Sequence, residues 1–253
     1  MLVPVLRPLS LGEVLDTSFG IYRRLFAPLL VISAATQAIP LAIGVFVEAA
    51  GGMVQQPAMA MLGYGLAIVF GAVGTAASTF LVAETYLGGS LTTQEAVLRS
   101  TPYLGRLIAS SVLVSLVAGL GLVLLIVPGL ILLSGLFITP AALVLEDIAA
   151  PTTAMARSWE LSRGYRGKVF GALSAILLLL IIPGLAIGAF TVGTSDASAT
   201  EATLSAGAMA VQSALQILVY PLIYVLTTVL YYDLRVRKEG FDLEMLASSL
   251  QQE

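Results

Sequence analysis

The chain has 253 residues, of which 58% are hydrophobic and only 11% charged, and its mean hydropathy is +0.98. A soluble domain carries about 25% charged residues to face water, so a soluble globular enzyme, a disordered chain and a nucleic-acid binder are all excluded. The net charge of −3 decides little, because in a membrane protein the placement of charge matters more than its sum.

Residues 1–26 precede any long apolar run. Ser10 and Glu13 have capping-box spacing, and Leu11, Val14, Leu15, Ser18, Phe19 and Tyr22 then fall on one helical face. This predicts an amphipathic helix over about 11–22, lying at the membrane interface. A first span follows at 28–47, a loop holding Gly51-Gly52, and a second span at 59–83. Residues 84–106 are polar, with Thr92 and Glu95 again at capping-box spacing. From Leu107 to Leu145 no charge occurs; that is nearly twice the roughly 20 residues one span needs, so two spans are predicted, folded back at Pro128-Gly129. Residues 146–168 form the most charged segment, with a second interfacial helix at about 152–162. The fifth span starts near Val169, with Pro183-Gly184 inside it or near its end. A polar loop holds Asp196 and Glu201, and the sixth span covers 208–232. The reading is one all-α membrane domain over 1–253: an interfacial segment at 1–26, a six-helix bundle at 27–232 and a charged tail, helical in part, at 233–253.

Six spans place all twelve basic residues on one side. Arg7, Arg23, Arg24, Arg99, Arg106, Arg157, Arg163, Arg166, Lys168, Arg235, Arg237 and Lys238 lie there, and the opposite loops hold none. The positive-inside rule then puts both termini in the cytoplasm. An amphipathic stretch followed by two spans recurs from near Leu9, Leu91 and Ala150, and Leu125–Leu130 is nearly repeated as Leu180–Leu185. Three pseudo-repeated hairpins are one account of this; chance likeness among apolar sequences with Pro-Gly turns is the other.

The chemistry available is narrow. Without Cys or His, thiolate and Ser-His-Asp catalysis and His-ligated metal or haem centres have no residues to use. No catalytic, cofactor-binding or metal-ligating set emerges. Glu48, Glu84, Glu146, Asp147 and Asp233 fall at predicted span ends, within reach of water, where proton- or ion-coupled pumping lacks its usual intramembrane charge. Arg157, Trp159, Arg163, Arg166 and Lys168 combine an interfacial aromatic with cations and are candidate contacts for anionic lipid headgroups; ordinary topology anchoring is the competing account. Gly63, Ala67, Gly71 and Thr75 recur at every fourth position, a candidate helix-packing face on which backbones approach closely, within the bundle or against a partner. Pro40, Pro140, Pro183 and Pro221 are expected to kink spans, and Tyr231 and Tyr232 suit an aromatic belt.

Several phrases in order carry a resemblance: Arg7-Pro8-Leu9, Gly12-Glu13-Val14-Leu15-Asp16 and Tyr22-Arg23-Arg24; Pro128-Gly129, Pro140 and Glu146-Asp147; Ala154 with Arg157-Ser158-Trp159-Glu160-Leu161-Ser162-Arg163-Gly164; Tyr232-Asp233-Leu234-Arg235 and Glu239-Gly240-Phe241-Asp242. Together they resemble the bacterial membrane domain named after glycerophosphoryl diester phosphodiesterases and its stand-alone relatives. In fused relatives a separate barrel domain that uses His and acidic residues does the catalysis. This chain lacks that domain and any His, so the resemblance implies a bacterial multi-pass module and no phosphodiesterase activity. The expected function is a non-catalytic accessory or structural subunit of the inner membrane, with lipids and other membrane chains as partners and no cofactor. A small-molecule or lipid transporter is the rival, and an enzyme relying on Glu146 and Asp147 a distant third.

Overall fold

Every regular element is a helix among the residues described by the computed structural model, which are 7–193 and 201–243, with backbone alone for 187–193 and 201–210. The first, α1 (Leu11–Arg24), opens on the expected capping box. Ser10 Oγ accepts from the Glu13 amide at 3.3 Å, and the Glu13 carboxylate accepts from the Ser10 amide at 2.7 Å. Arg7 reaches the same carboxylate at 2.5 Å, and these contacts, Arg7 first, hold the Glu13 carboxyl down at about 2. A depressed carboxyl stabilises above its unfolded value near 4.5 and loses that contribution as the pH falls toward 2. A carboxyl-carbon NMR titration of Glu13 should therefore give a midpoint near 2; a midpoint above 4 would mean the cap does not form in a bilayer.

The first hairpin joins α2 (Phe26–Ala49) to α3 (Pro57–Tyr86). Its turn contains Gly51 and Gly52 at φ of 98° and 84°, a region glycine enters without a Cβ penalty. α4 (Thr93–Ser100), capped by Thr92 and Glu95 as their spacing predicts, leads through a single 3-10 turn into α5 (Leu104–Leu124).

The next turn differs from expectation. It lies at Leu125, whose extended backbone (φ −160°, ψ 135°) separates α5 from α6 (Ile126–Leu136). Pro128 then sits in the first turn of α6, where a missing N–H costs nothing. Gly129 serves as a contact: a Cβ there would lie 2.6 Å from the Leu122 backbone nitrogen, and one on Gly121 would lie 3.1 Å from Gly129 Cα. Gly129→Ala should spread this hairpin and cost about 1–3 kcal/mol, the usual range for overpacking. The thermal midpoint in nanodiscs measures it, and an unchanged midpoint would show that the helices separate freely.

Pro140 breaks its span outright where a kink was expected. Lacking an N–H, it cannot bond the carbonyl of Leu136 four residues back, and α6 stops there before α7 (Thr139–Leu145) begins. Thr139 Oγ1 donates to the Leu136 carbonyl instead, at 2.7 Å. The Gly135 carbonyl, another left open at the helix end, accepts from Ser158 at 2.8 Å and Ser162 at 3.2 Å, both on α8 (Pro151–Ser162). Hydroxyls thus stitch the broken span to the second amphipathic helix.

α9 (Arg166–Gly193) runs continuously through Pro183. The phrase that accompanies a hairpin turn near Pro128 lies inside a helix here, so the repeat survives only as pairing of α2 with α3, α5 with α6, and α9 with α10 (Glu201–Glu239). α10 also continues past Tyr232, so the expected tail begins within the last helix. Among the described residues six helical stretches are long and apolar enough to cross a membrane, and the protein is an all-α multi-pass membrane protein. Its core gathers where the C-terminal halves of α3 and α10 meet α7, around Ala76, Ala77, Leu81, Ala142, Val225, Leu226 and Leu230, all essentially without exposure.

Candidate functional site

The charged ends of the helices converge into two buried-edge clusters. In the first, Lys168 at the start of α9 places Nζ 2.5 Å from Asp233 Oδ2 and 2.6 Å from the Leu9 carbonyl. Asp233 Oδ1 accepts from the Leu9 amide at 2.7 Å, and both its oxygens accept from Arg237 Nε at 3.1–3.2 Å. Arg237 also donates to the Leu9 carbonyl. The segment entering α1 is thereby clamped to α9 and α10. The Asp233 side chain has 0% exposure, which corrects the expectation that it meets water.

In the second cluster, Arg157 Nε donates to both oxygens of Glu146 at 2.8 and 2.9 Å, and its Nη1 lies 2.5 Å from Glu239. Tyr231 donates to Glu146 at 3.0 Å, and Arg235 joins Glu239 at 3.0 Å. Tyr231 and Tyr232 are buried, Tyr232 against Tyr86 and Phe241, so neither belongs to an aromatic belt.

The five candidate headgroup contacts divide accordingly. Arg157 and Lys168 are engaged internally. Arg166 lies with its guanidinium 3.6 Å above the Trp159 ring, and its Nε is buried with no hydrogen-bond partner among the described residues. Arg163 is exposed. Of the five, Arg163 alone is exposed, while Trp159 and Arg166 stack on each other, because adjacency in sequence does not put side chains on one face of the α8–α9 corner.

The small-residue run on α3 also divides. Gly63 is at a close approach, where a Cβ would lie 2.9 Å from Ile43, but a Cβ on Gly71 meets nothing within 4 Å. Of the two accounts of this face, packing within the bundle holds at Gly63 and has no counterpart among the described residues at Gly71. The tightly packed face is one position round, at Ala72, Ala76, Thr79 and Ala83, and Ala67 and Gly71 are only half-buried. Thr75 opens onto a cavity of about 270 Å³ among α3, α5, α6, α7 and α10.

No family model, curated protein or solved structure matches the chain.

The cavity was not visible in the sequence, since its lining comes from five helices and carries no charge. Thr79, Ser110, Thr139 and Thr227 line it, and each hydroxyl donates to a carbonyl of its own chain three or four residues back, at 2.7–3.0 Å. Thr75 does the same to Gly71 at 2.8 Å. Ser111 and Ser115 line it without such a bond, on the exposed flank of α5. Val114, Leu133, Phe137 and Ile223 supply apolar walls. Chemically the cavity can hydrogen-bond an uncharged group, while the two charge clusters are closed on themselves. Among the described residues no three carboxylates gather as a metal site would require.

Proposed function

We propose that the protein is a non-catalytic accessory subunit of a larger assembly in a bacterial cytoplasmic membrane, acting by lateral helix packing and lipid contact, with both termini in the cytoplasm. One observation carries this reading: the spans are unevenly packed. In the most apolar stretch of α2 and of α9 only 17% of residues are buried, and 22% in that of α5, against 50% in α3 and α10. Gly65 and Gly71 on α3 and Gly119 on α5 also have open space where a Cβ would stand. Glycine weakens a helix by roughly 0.5–1 kcal/mol relative to alanine, and its use on a span is close approach by another helix. None of the described residues makes that approach at these three positions. Trp159, Arg163 and Arg166 suit contact with anionic headgroups, each cation gaining about 1 kcal/mol near such a surface. The resemblance to the membrane domain of glycerophosphoryl diester phosphodiesterases agrees with a module that has no chemistry of its own. The rival reading, a small-molecule or lipid transporter, draws on the hydroxyl-lined cavity.

The chain has no cysteine, so single cysteines can be placed freely. Gly71→Cys and Leu120→Cys should crosslink to another chain in native membranes. Gly71→Leu should lower the yield of the assembly while leaving the stability of the isolated chain within about 0.5 kcal/mol of the parent, as for a surface site. A chain that crosslinks to nothing in native membranes, and that carries substrate flux in proteoliposomes, would replace this reading with a transporter. For topology, Gln55→Cys should be labelled only from the side opposite the cytoplasm. Position 198, which the sequence reading also expects on that side, lies outside the described residues.

A further inference from the structure

We infer that the cavity among α3, α5, α6, α7 and α10 binds the uncharged, hydroxyl-bearing head of a neutral lipid of the diacylglycerol kind. Depth is the first reason. Arg106, paired with Asp147 at 3.0 Å, marks the charged end of α5. Ser111 and Ser115 lie about 7.5 and 13.5 Å further along a helix that rises 1.5 Å per residue, on the apolar side of that charged end. No cation or anion lines the cavity, so a charged headgroup drawn this deep would be left unpaired, at a cost of several kcal/mol or more.

Hydrogen-bond capacity is the second reason. Thr79, Thr139 and Thr227 have their protons committed to backbone carbonyls, so toward the cavity they present oxygen lone pairs only. Ser111 and Ser115 keep both a donor and acceptors, since neither makes a hydrogen bond among the described residues. A ligand that meets this set must both donate and accept while carrying no charge, which is the chemistry of an alcohol. A quaternary-ammonium or carboxylate head fails the first and the last condition, and a bare alkyl chain makes no hydrogen bond to the serines. The volume of about 270 Å³ holds such a head and the first carbons of its chains, with the rest leaving along the exposed α5 flank beside Val112 and Leu116. The site stands whether or not the protein has partner chains.

The test uses the full chain in phosphatidylcholine nanodiscs containing either a photoreactive, alkyne-tagged diacylglycerol or phosphatidic acid with the same photoreactive chains. The diacylglycerol probe should label peptides containing Ser111–Ser115 and Ile223–Thr227, about fivefold or more above phosphatidic acid. Ser111→Ala/Ser115→Ala, on an exposed flank where folding is little affected, should reduce that labelling by about fivefold per lost hydrogen bond, with an unchanged thermal midpoint. Equal labelling by the two probes, no labelling at these peptides, or labelling that the double alanine variant leaves intact would each overturn the assignment.

Discussion

Lys168→Ala should destabilise the protein by about 3 kcal/mol and release the segment that leads into α1. Removing one partner of a buried ion pair is far more damaging than replacing both, because the remaining charge stays desolvated; the usual range is about 3–5 kcal/mol. Asp233, with no exposure of its own, would retain Arg237 and the Leu9 amide, which puts the loss near the lower end. The Leu9 carbonyl would lose its Lys168 donor in the same step. Lys168 also stands in the first turn of α9, where the helix dipole disfavours a cation, so the pairing offsets an adverse position as well as a desolvation cost. Hydrogen exchange in nanodiscs should show faster exchange confined first to residues 9–24, together with a lowered thermal midpoint. Lys168→Ala/Asp233→Asn should recover part of the loss, since an amide oxygen still accepts from Leu9. Unchanged exchange over residues 9–24 would mean that water already reaches this pair.

Gly135→Ala should displace Trp159 and loosen α8, at a cost of about 1–3 kcal/mol. A Cβ at position 135 would lie 2.5 Å from Trp159 Cζ3, and the ring it meets is a large, rigid one held beneath Arg166. The Gly135 carbonyl simultaneously anchors Ser158 and Ser162, so helix and ring cannot yield independently. Trp159 is the only tryptophan, which makes its fluorescence a local reporter. Emission should shift to the red and become more open to quenching by acrylamide as the ring leaves its site. Arg166→Ala, which removes the stacked guanidinium without a clash, should alter the emission but spare α8, as judged by exchange of residues 151–162. A parental spectrum and midpoint in Gly135→Ala would mean that the ring moves aside at no cost.

Much of the architecture was legible because it rests on local physics. A span is recognised from its own length and apolarity, since in hydrocarbon each helix must satisfy its own backbone. The two capping boxes, Ser10 with Glu13 and Thr92 with Glu95, close within three residues and were read correctly. The turn near Pro128 was located only approximately: Leu125 and Pro128-Gly129 are both acceptable breaks locally, and the contact of Gly121 with Gly129 across the hairpin selects one of them. Pro140 announced some disruption, but whether its span bends or breaks depended on Thr139 and on Ser158 and Ser162 taking the freed carbonyls.

The sites were less legible. Composition and periodicity by themselves determined a six-span helical protein with its basic residues on one side and no cysteine or histidine chemistry. Only the tertiary structure decided which charges face water. Asp233 is buried because Leu9 and Lys168, both remote in the chain, close over it. Arg157 turns inward to Glu146 and Glu239, while Arg163 beside it in sequence stays exposed. Gly71 reads like Gly63 in the sequence, yet one meets Ile43 and the other open space: the face of α3 that meets α2 carries Gly63 against Ile43 and, about three turns on, Gly74 against Thr36, and Gly71 is turned away from it. The hydroxyl-lined cavity exists only where five helices leave a gap. Helix formation is settled by neighbours along the chain, whereas burial, pairing and cavities are settled by neighbours in space.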